Sequence, residues 1–226
     1  MNGFLQQYLP NFLDYRAEFL LSLRETLIMM VVSGVFILLF GLIIGTALVV
    51  TREGNILENQ WVNKAIDIIV NVFRAIPFVI LISLLIPITK TIMGTFIGVK
   101  GAIFPLIIGA TPFFVRQVDA ALSDVDKGII EAAQSMGLSP LEIIFRVYLR
   151  ESVPALTRSI TITAISLLGL TTMGGAVGGG GIGAFVLRYG HQRRFYDISF
   201  VSVLTILIFV TLIQSLGNII AQKAKH

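Results

Sequence analysis

The sequence predicts an all-α integral membrane protein: five transmembrane helices in a single domain over residues 1–226, with a charged, well-capped helical interruption between the third and fourth spans. Three observations predict this class. Hydrophobic residues make up 55% of the 226-residue chain and charged residues only 13%, against roughly a quarter charged in an ordinary soluble domain. Leu27–Val50 and Ile198–Ala221 each run 24 residues without a charge, where about 20 suffice to cross the hydrocarbon core. Between the remaining apolar runs lies a long polar stretch, about 119–158, with its own helix-start and helix-stop signals.

Taken in order, residues 1–26 are polar and mixed, with Phe4, Tyr8, Phe12, Tyr15 and Phe19 among them. A short helix at the membrane interface is expected there. No basic stretch precedes the first apolar run, so this segment does not read as a cleaved signal peptide. Span 1 is Leu27–Val50. The charged loop after it places Trp61 at headgroup level. Span 2, about 66–86, carries Asp67, Asn71 and Arg74 on one helix face. Ionised groups on a membrane helix face protein or water rather than lipid, so these turns are expected near the cytoplasm, buried against protein. Pro77 is expected to bend or interrupt the helix.

Residues 87–101 read as a short polar connection. Span 3, about 102–118, contains Pro105 and Pro112 and is expected to be irregular, its freed carbonyls satisfied by neighbours. Span 4, about 159–178, is rich in Thr, Ser and Gly. A polar loop with Arg188, His191, Arg193 and Arg194 follows, and span 5 is about 198–221. Five spans put the termini on opposite sides. With the N-terminus outside, ten of the 17 Lys and Arg residues (Lys225 among them) fall inside and seven outside. Positive charge favours the cytoplasmic side, so the stretch 119–158 and the C-terminus are expected to be cytoplasmic.

That stretch specifies two short helices. Ser123 or Asp124 can cap the first, with Asp124 and Asp126 suiting its first turn. Gly137 falls where a helix ends in a left-handed residue. Ser139, Pro140 and Glu142 then form a capping box with proline at the first helical position. Glu142, Arg146 and Arg150 make a polar stripe, and Leu141, Ile144, Phe145 and Tyr148 an apolar face. Ala132 and Ala133 beside Gly137 are expected to leave a shallow surface that a partner could approach.

Other chemistries fit poorly. Gly178, Gly180 and Gly183 satisfy G-x-G-x-x-G formally, but a membrane helix precedes them where a dinucleotide site needs a strand. Close helix packing or a bend explains them better. The chain has no cysteine and two histidines far apart, His191 and His226, so no metal site and no cofactor are expected. The basic residues are scattered, without an aromatic platform, which argues against nucleic acid. No paired carboxylates or Ser–His pairing suggest an intramembrane enzyme. An ATP-independent carrier stays open, although spans 1 and 5 carry no charge at mid-depth.

The stretch EAAQSMG, from Glu131 to Gly137, followed by Val147 and Leu149, resembles the EAA motif of ATP-binding-cassette importer permeases. Arg150 stands where that family has proline, and the next proline is Pro154. FRAIPFVIL (73–81) is similar to a segment of amino-acid importer permeases. MGTFIGVKGAIFPLIIGATPFFVRQVDAAL and TTMGGAVGGGGIG are similar to the methionine-import members. The resemblance covers nearly the whole chain.

The resemblance implies a permease subunit of a bacterial cell-membrane importer, moving methionine, or another amino acid or small solute, by alternating access. Glu131, Ala132, Ala133, Gly137, Leu138 and Ser139 would couple it to an ATPase. No Walker phosphate loop occurs here, so ATP and Mg would sit on two separate ATP-binding subunits. One motif per chain implies a homodimer, or pairing with a second permease. An extracytoplasmic binding protein would deliver solute. Met173 would plug the path, with Ser166, Thr172, Gly174 and Gly175 beside it.

Overall fold

A computed structural model describes residues 7–224; Phe4, Lys225 and His226 lie outside the described residues. Helix dominates, and no strand occurs among the described residues. In chain order the helices are α1 (Pro10–Asp14), α2 (Arg16–Val50), α3 (Gln60–Ala75), α4 (Phe78–Leu84), α5 (Ile86–Met93), α6 (Gly98–Ser123), α7 (Lys127–Ser135), α8 (Pro140–Ile143), α9 (Leu149–Glu151), α10 (Val153–Gly174), α11 (Gly181–Phe185) and α12 (Tyr196–Lys223). Wider, π-type turns occupy Ile144–Tyr148, Gly175–Gly179 and Val186–Gln192. Helices α2, α6, α10 with its π turn, and α12 are long and apolar enough to cross a membrane, and α3 with α4 makes a fifth, broken span.

Five spans are therefore present, with several boundaries moved. Span 2 is not one helix: Ile76 (ψ 121°) and Pro77 (ψ 134°) are extended and separate α3 from α4, since the residue before proline avoids helical geometry. The connection 87–101 is largely helical, with Pro87 in the first turn of α5, where a missing N–H costs nothing. Span 3 runs as one helix from Gly98 to Ser123 through both prolines. The cap of α7 is Asp126, whose Oδ1 accepts from Gly128 N–H at 2.6 Å, and not Ser123 or Asp124. Arg188 and His191 sit on helical turns, leaving only 193–195 as loop.

The chain forms two compact units. The first comprises Met1–Val35, Pro77–Gly109 and Ala164–Ile213. Its core gathers Phe19, Ile182, Phe185 and Ile198, ringed by Phe12, Tyr15, Tyr189 and Phe195. Phe12 meets Phe19 edge-to-face at 5.1 Å, an arrangement favoured by the ring quadrupoles. Arg193 lies over Tyr15 and Tyr189 and donates to the Tyr15 hydroxyl at 2.7 Å. Asp197 accepts from Asn11 Nδ2 and from Phe12 N–H. These contacts correct the expectation of a free interfacial helix: α2 begins at Arg16, and its aromatic residues are packed into this core.

The second unit comprises Phe36–Ile76, Ala110–Thr163 and Gln214–His226. Leu48, Val70 and Val115 form its buried centre. Asn59 caps α3, its side chain accepting from Val62 N–H, and Trp61 in the first turn is exposed.

Candidate functional site

Two places combine special backbone geometry with exposed chemistry. The first is the turn between α7 and α8, in the second unit. Gly137 has φ +80°, a conformation that costs glycine little. Leu138 N–H donates to Ala133 O at 3.2 Å and Gly137 N–H to Gln134 O at 2.9 Å, which is a Schellman closure of α7. Two residues on, the capping box is complete. Ser139 N–H donates to Glu142 Oε2 at 3.1 Å, and Glu142 N–H to Ser139 Oγ at 3.4 Å. The Ser139 backbone N–H, and then its hydroxyl, hold the Glu142 carboxyl below its ordinary value of 4.5. Glu142 also pairs with Arg146 at 3.5 Å. The turn is thus locked at both helix ends before any partner is considered.

Around the turn, Glu131, Ala132, Gly137 and Ser139 are exposed, Leu138 is half-buried, and Ala133 is buried. Ala133 therefore faces inward, and only Ala132 offers the small surface expected of the pair. The buried stripe of the next segment is Ile143, Ile144, Val147 and Tyr148, while Leu141 and Phe145 are exposed at 65% and 66%. The predicted apolar face is rotated, because α7 packs against the π turn 144–148 and draws in Ile143 and Val147. Met136, Leu141 and Phe145 are left as large exposed apolar side chains. After α9, the helix resumes at Val153 with Pro154 in its first turn.

Behind the turn, Tyr148 is buried and donates its hydroxyl to Asn55 Oδ1 at 2.7 Å; burial raises its pKa above the ordinary value. Asn55 also accepts from Ile56 N–H at 2.8 Å and donates to Val49 O at 2.9 Å. A recess of about 180 Å³ beside this contact is lined by Arg52, Asn55, Glu131, Gln134 and Tyr148, among others. In the same unit Arg116 bonds to Asp67, to Asn71 at 2.8 Å and to Asp119 at 3.4 Å, and Arg52 reaches Asp119 at 2.7 Å. Asp67 and Asn71 do share a face, but the Asp67 side chain is 43% exposed rather than buried. Arg74 is exposed and outside this cluster.

The second place is the glycine-rich end of α10, in the first unit. Val177 (φ −105°, ψ 21°) and Gly178 (φ 95°) leave helical geometry, and the chain turns back into α11. The returning arm lies backbone against backbone. A Cβ on Gly183 would collide with the Thr172 carbonyl, and one on Gly175 would lie 2.7 Å from Gly180 O. Gly181 N–H donates to Glu25 Oε2 at 2.7 Å and Ile182 N–H to Thr26 Oγ1 at 2.8 Å. Of the expected pathway residues, Thr172 and Gly175 are brought into this hairpin. Gly174 is buried at its base, Met173 is half exposed, and Ser166 lies two turns back, half-buried. Nothing local in the sequence linked Glu25 or Thr26 to residues 156 positions away.

A multi-span helical fold with a doubly capped exposed turn and a glycine hairpin is the membrane component of a transport system. Residues 37–226 match the family of binding-protein-dependent transport system inner membrane components, and the chain belongs to that family. It is similar to the probable D-methionine transport system permease protein of Vibrio cholerae: 42% identical over 202 residues, 89% of this chain and 90% of that protein. It is 47% identical to the methionine import system permease protein of Bacillus subtilis over 173 residues, 76% of this chain and 78% of that one. Among solved structures, an inward-facing MetNI methionine ABC transporter chain superposes with a TM-score of 0.88 at 42% identity, covering 89% of this chain and 94% of that one.

Proposed function

We propose that this chain is the permease subunit of an ATP-driven methionine importer. The observation that carries the reading is likeness along the whole chain: a TM-score of 0.90 and 39% identity to a second inward-facing form of the MetNI methionine transporter, covering 94% of this chain and 99% of that one. The turn at Gly137 supports a docking role for Glu131, Ala132, Gly137, Leu138 and Ser139. It is rigid on both sides, it projects exposed apolar side chains, and its backbone is preorganised. Ala133 contributes from within, by anchoring α7.

Two ATP-binding subunits would carry ATP and Mg and perform the hydrolysis. Two copies of this chain would enclose the path, and an extracytoplasmic binding protein would deliver solute. The N-terminus lies outside and the C-terminus in the cytoplasm of a bacterial cell membrane. Closure of the ATPase pair moves the two turns together and biases a two-state element, which is alternating access. Met173, with Ser166, Thr172, Gly174 and Gly175, lies along the path.

The test is uptake of labelled methionine by proteoliposomes holding this chain with its ATPase and binding protein. Uptake should need ATP and be displaced by unlabelled methionine before other amino acids. Uptake that survives without ATP and collapses with the proton gradient would refute the reading.

A further inference from the structure

We propose that Glu25 and Thr26 form a latch on the glycine hairpin, and that Glu25 is a positioning residue for the solute path. This rests on the importer reading above. The first N–H groups of a helix have no partner within it. At α11 they are taken by two side chains of α2: Glu25 Oε2 accepts from Gly181 and Thr26 Oγ1 from Ile182. Thr26 is buried, and its own hydroxyl donates to Ser22 O at 2.9 Å, which leaves its oxygen free to accept.

The approach is built in covalently. Gly180 and Gly181 both have positive φ, and a Cβ would lie 2.8 Å from Glu25 Oε2 on the first and 2.7 Å from Thr26 Oγ1 on the second. The returning arm is in turn pressed on the Thr172 carbonyl through Gly183. The place of Thr172, and of Met173 beside it, is thus set through a hairpin whose far arm hangs on two hydrogen bonds.

The contact is suited to release as well as to holding. A recess of about 570 Å³ borders it, lined by Glu18, Glu25, Gly178, Gly180 and Arg188, among others. Glu25 itself is only half-buried. A carboxylate at the edge of a wet recess exchanges an N–H donor for water at small net cost. The hinge is supplied by Val177 and Gly178, already non-helical. An apolar clamp of the same area would have to expose its surface to let go.

The chain has no cysteine, so Ile182→Cys introduces its sole thiol at a site 2% exposed. The assembled complex in lipid nanodiscs, with both faces reachable, is treated with a charged maleimide. In the absence of nucleotide, adding Glu25→Ala should speed labelling about tenfold, and Glu25→Gln, which keeps an acceptor oxygen, about threefold. Thr26→Val removes the other bond alone and should give about threefold; it serves if Glu25→Ala does not assemble.

Trapping with ATP and vanadate should accelerate labelling of the Ile182→Cys parent and add little to the Glu25→Ala form. A merely structural role would speed labelling equally in both states. Labelling of Glu25→Ala at the parent's rate, or equal acceleration of both by trapping, overturns the latch. The nucleotide-free comparison needs no hydrolysis. Failure of an ATPase to associate would therefore sink the importer reading while the latch is still judged on its own rates.

Discussion

Replacing Gly137 by alanine isolates the backbone demand of the α7–α8 turn. A Cβ at this position would have no neighbour within 4 Å, so the substitution neither clashes nor opens a cavity. What remains is the cost of holding an L-residue at φ +80°, about 1–2 kcal/mol. That strain is relieved when the turn opens, so opening should become about 5- to 30-fold more frequent. The readout is hydrogen exchange at Gly137 and Leu138, whose amides close the turn onto Gln134 O and Ala133 O. Alanine at 137 should speed exchange of both by that factor. Asparagine, which tolerates this conformation better, should fall between glycine and alanine. Affinity for the ATPase should drop in the same order. Exchange that does not change in the alanine variant would show that the turn is not held by its glycine. A change far above thirtyfold would mean that a contact absent from the structure was lost.

Three further outcomes are expected. Tyr148→Phe removes one buried hydrogen bond and should lower stability by about 0.5–1.5 kcal/mol; a double-mutant cycle with Asn55→Ala in thermal unfolding should recover that coupling, and additivity would dismiss it. Arg116→Ala should cost about 1–3 kcal/mol through its bonds to Asp67, Asn71 and Asp119, whereas exposed Arg74→Ala should leave the melting temperature unchanged. Because the Glu142 carboxyl is held below 4.5, its cap is fully present above that pH and is lost as pH falls through the folded value. Exchange at Glu142 N–H, corrected for its intrinsic pH dependence, should rise there, and Ser139→Ala should abolish the effect.

Much of this was legible from the chain. The 24-residue uncharged runs placed α2 and α12, because length and purity suffice for a lipid-facing helix. Gly137 and the Ser139–Glu142 box were legible because caps are local chemistry within four residues. Pro77 was legible as a break. What escaped depends on distance in sequence. Asp126 caps α7 instead of Ser123 because α6 keeps its helical path to Ser123, which no local rule requires. Ala133 and Ala132 look alike in sequence, and only packing of α7 on the π turn separates them. Arg116 joining Asp67, and Glu25 joining Gly181, are pairings between helices, and a single sequence gives no pattern for them.

The π turn at Ile144–Tyr148 has a consequence for which changes this region can absorb. An α-helix advances about 100° per residue, and a π turn holds one residue more than an α turn. Deleting a residue within 144–148 would let the stretch close as ordinary helix, and everything after it would swing by about 100° relative to Gly137. Tyr148 would leave its place beside Asn55, and α10 would start out of phase. Exchanging the outward Phe145 for another side chain alters the surface and leaves that phase alone. The segment therefore behaves like a screw thread, in which letters are replaceable and the count of residues is not.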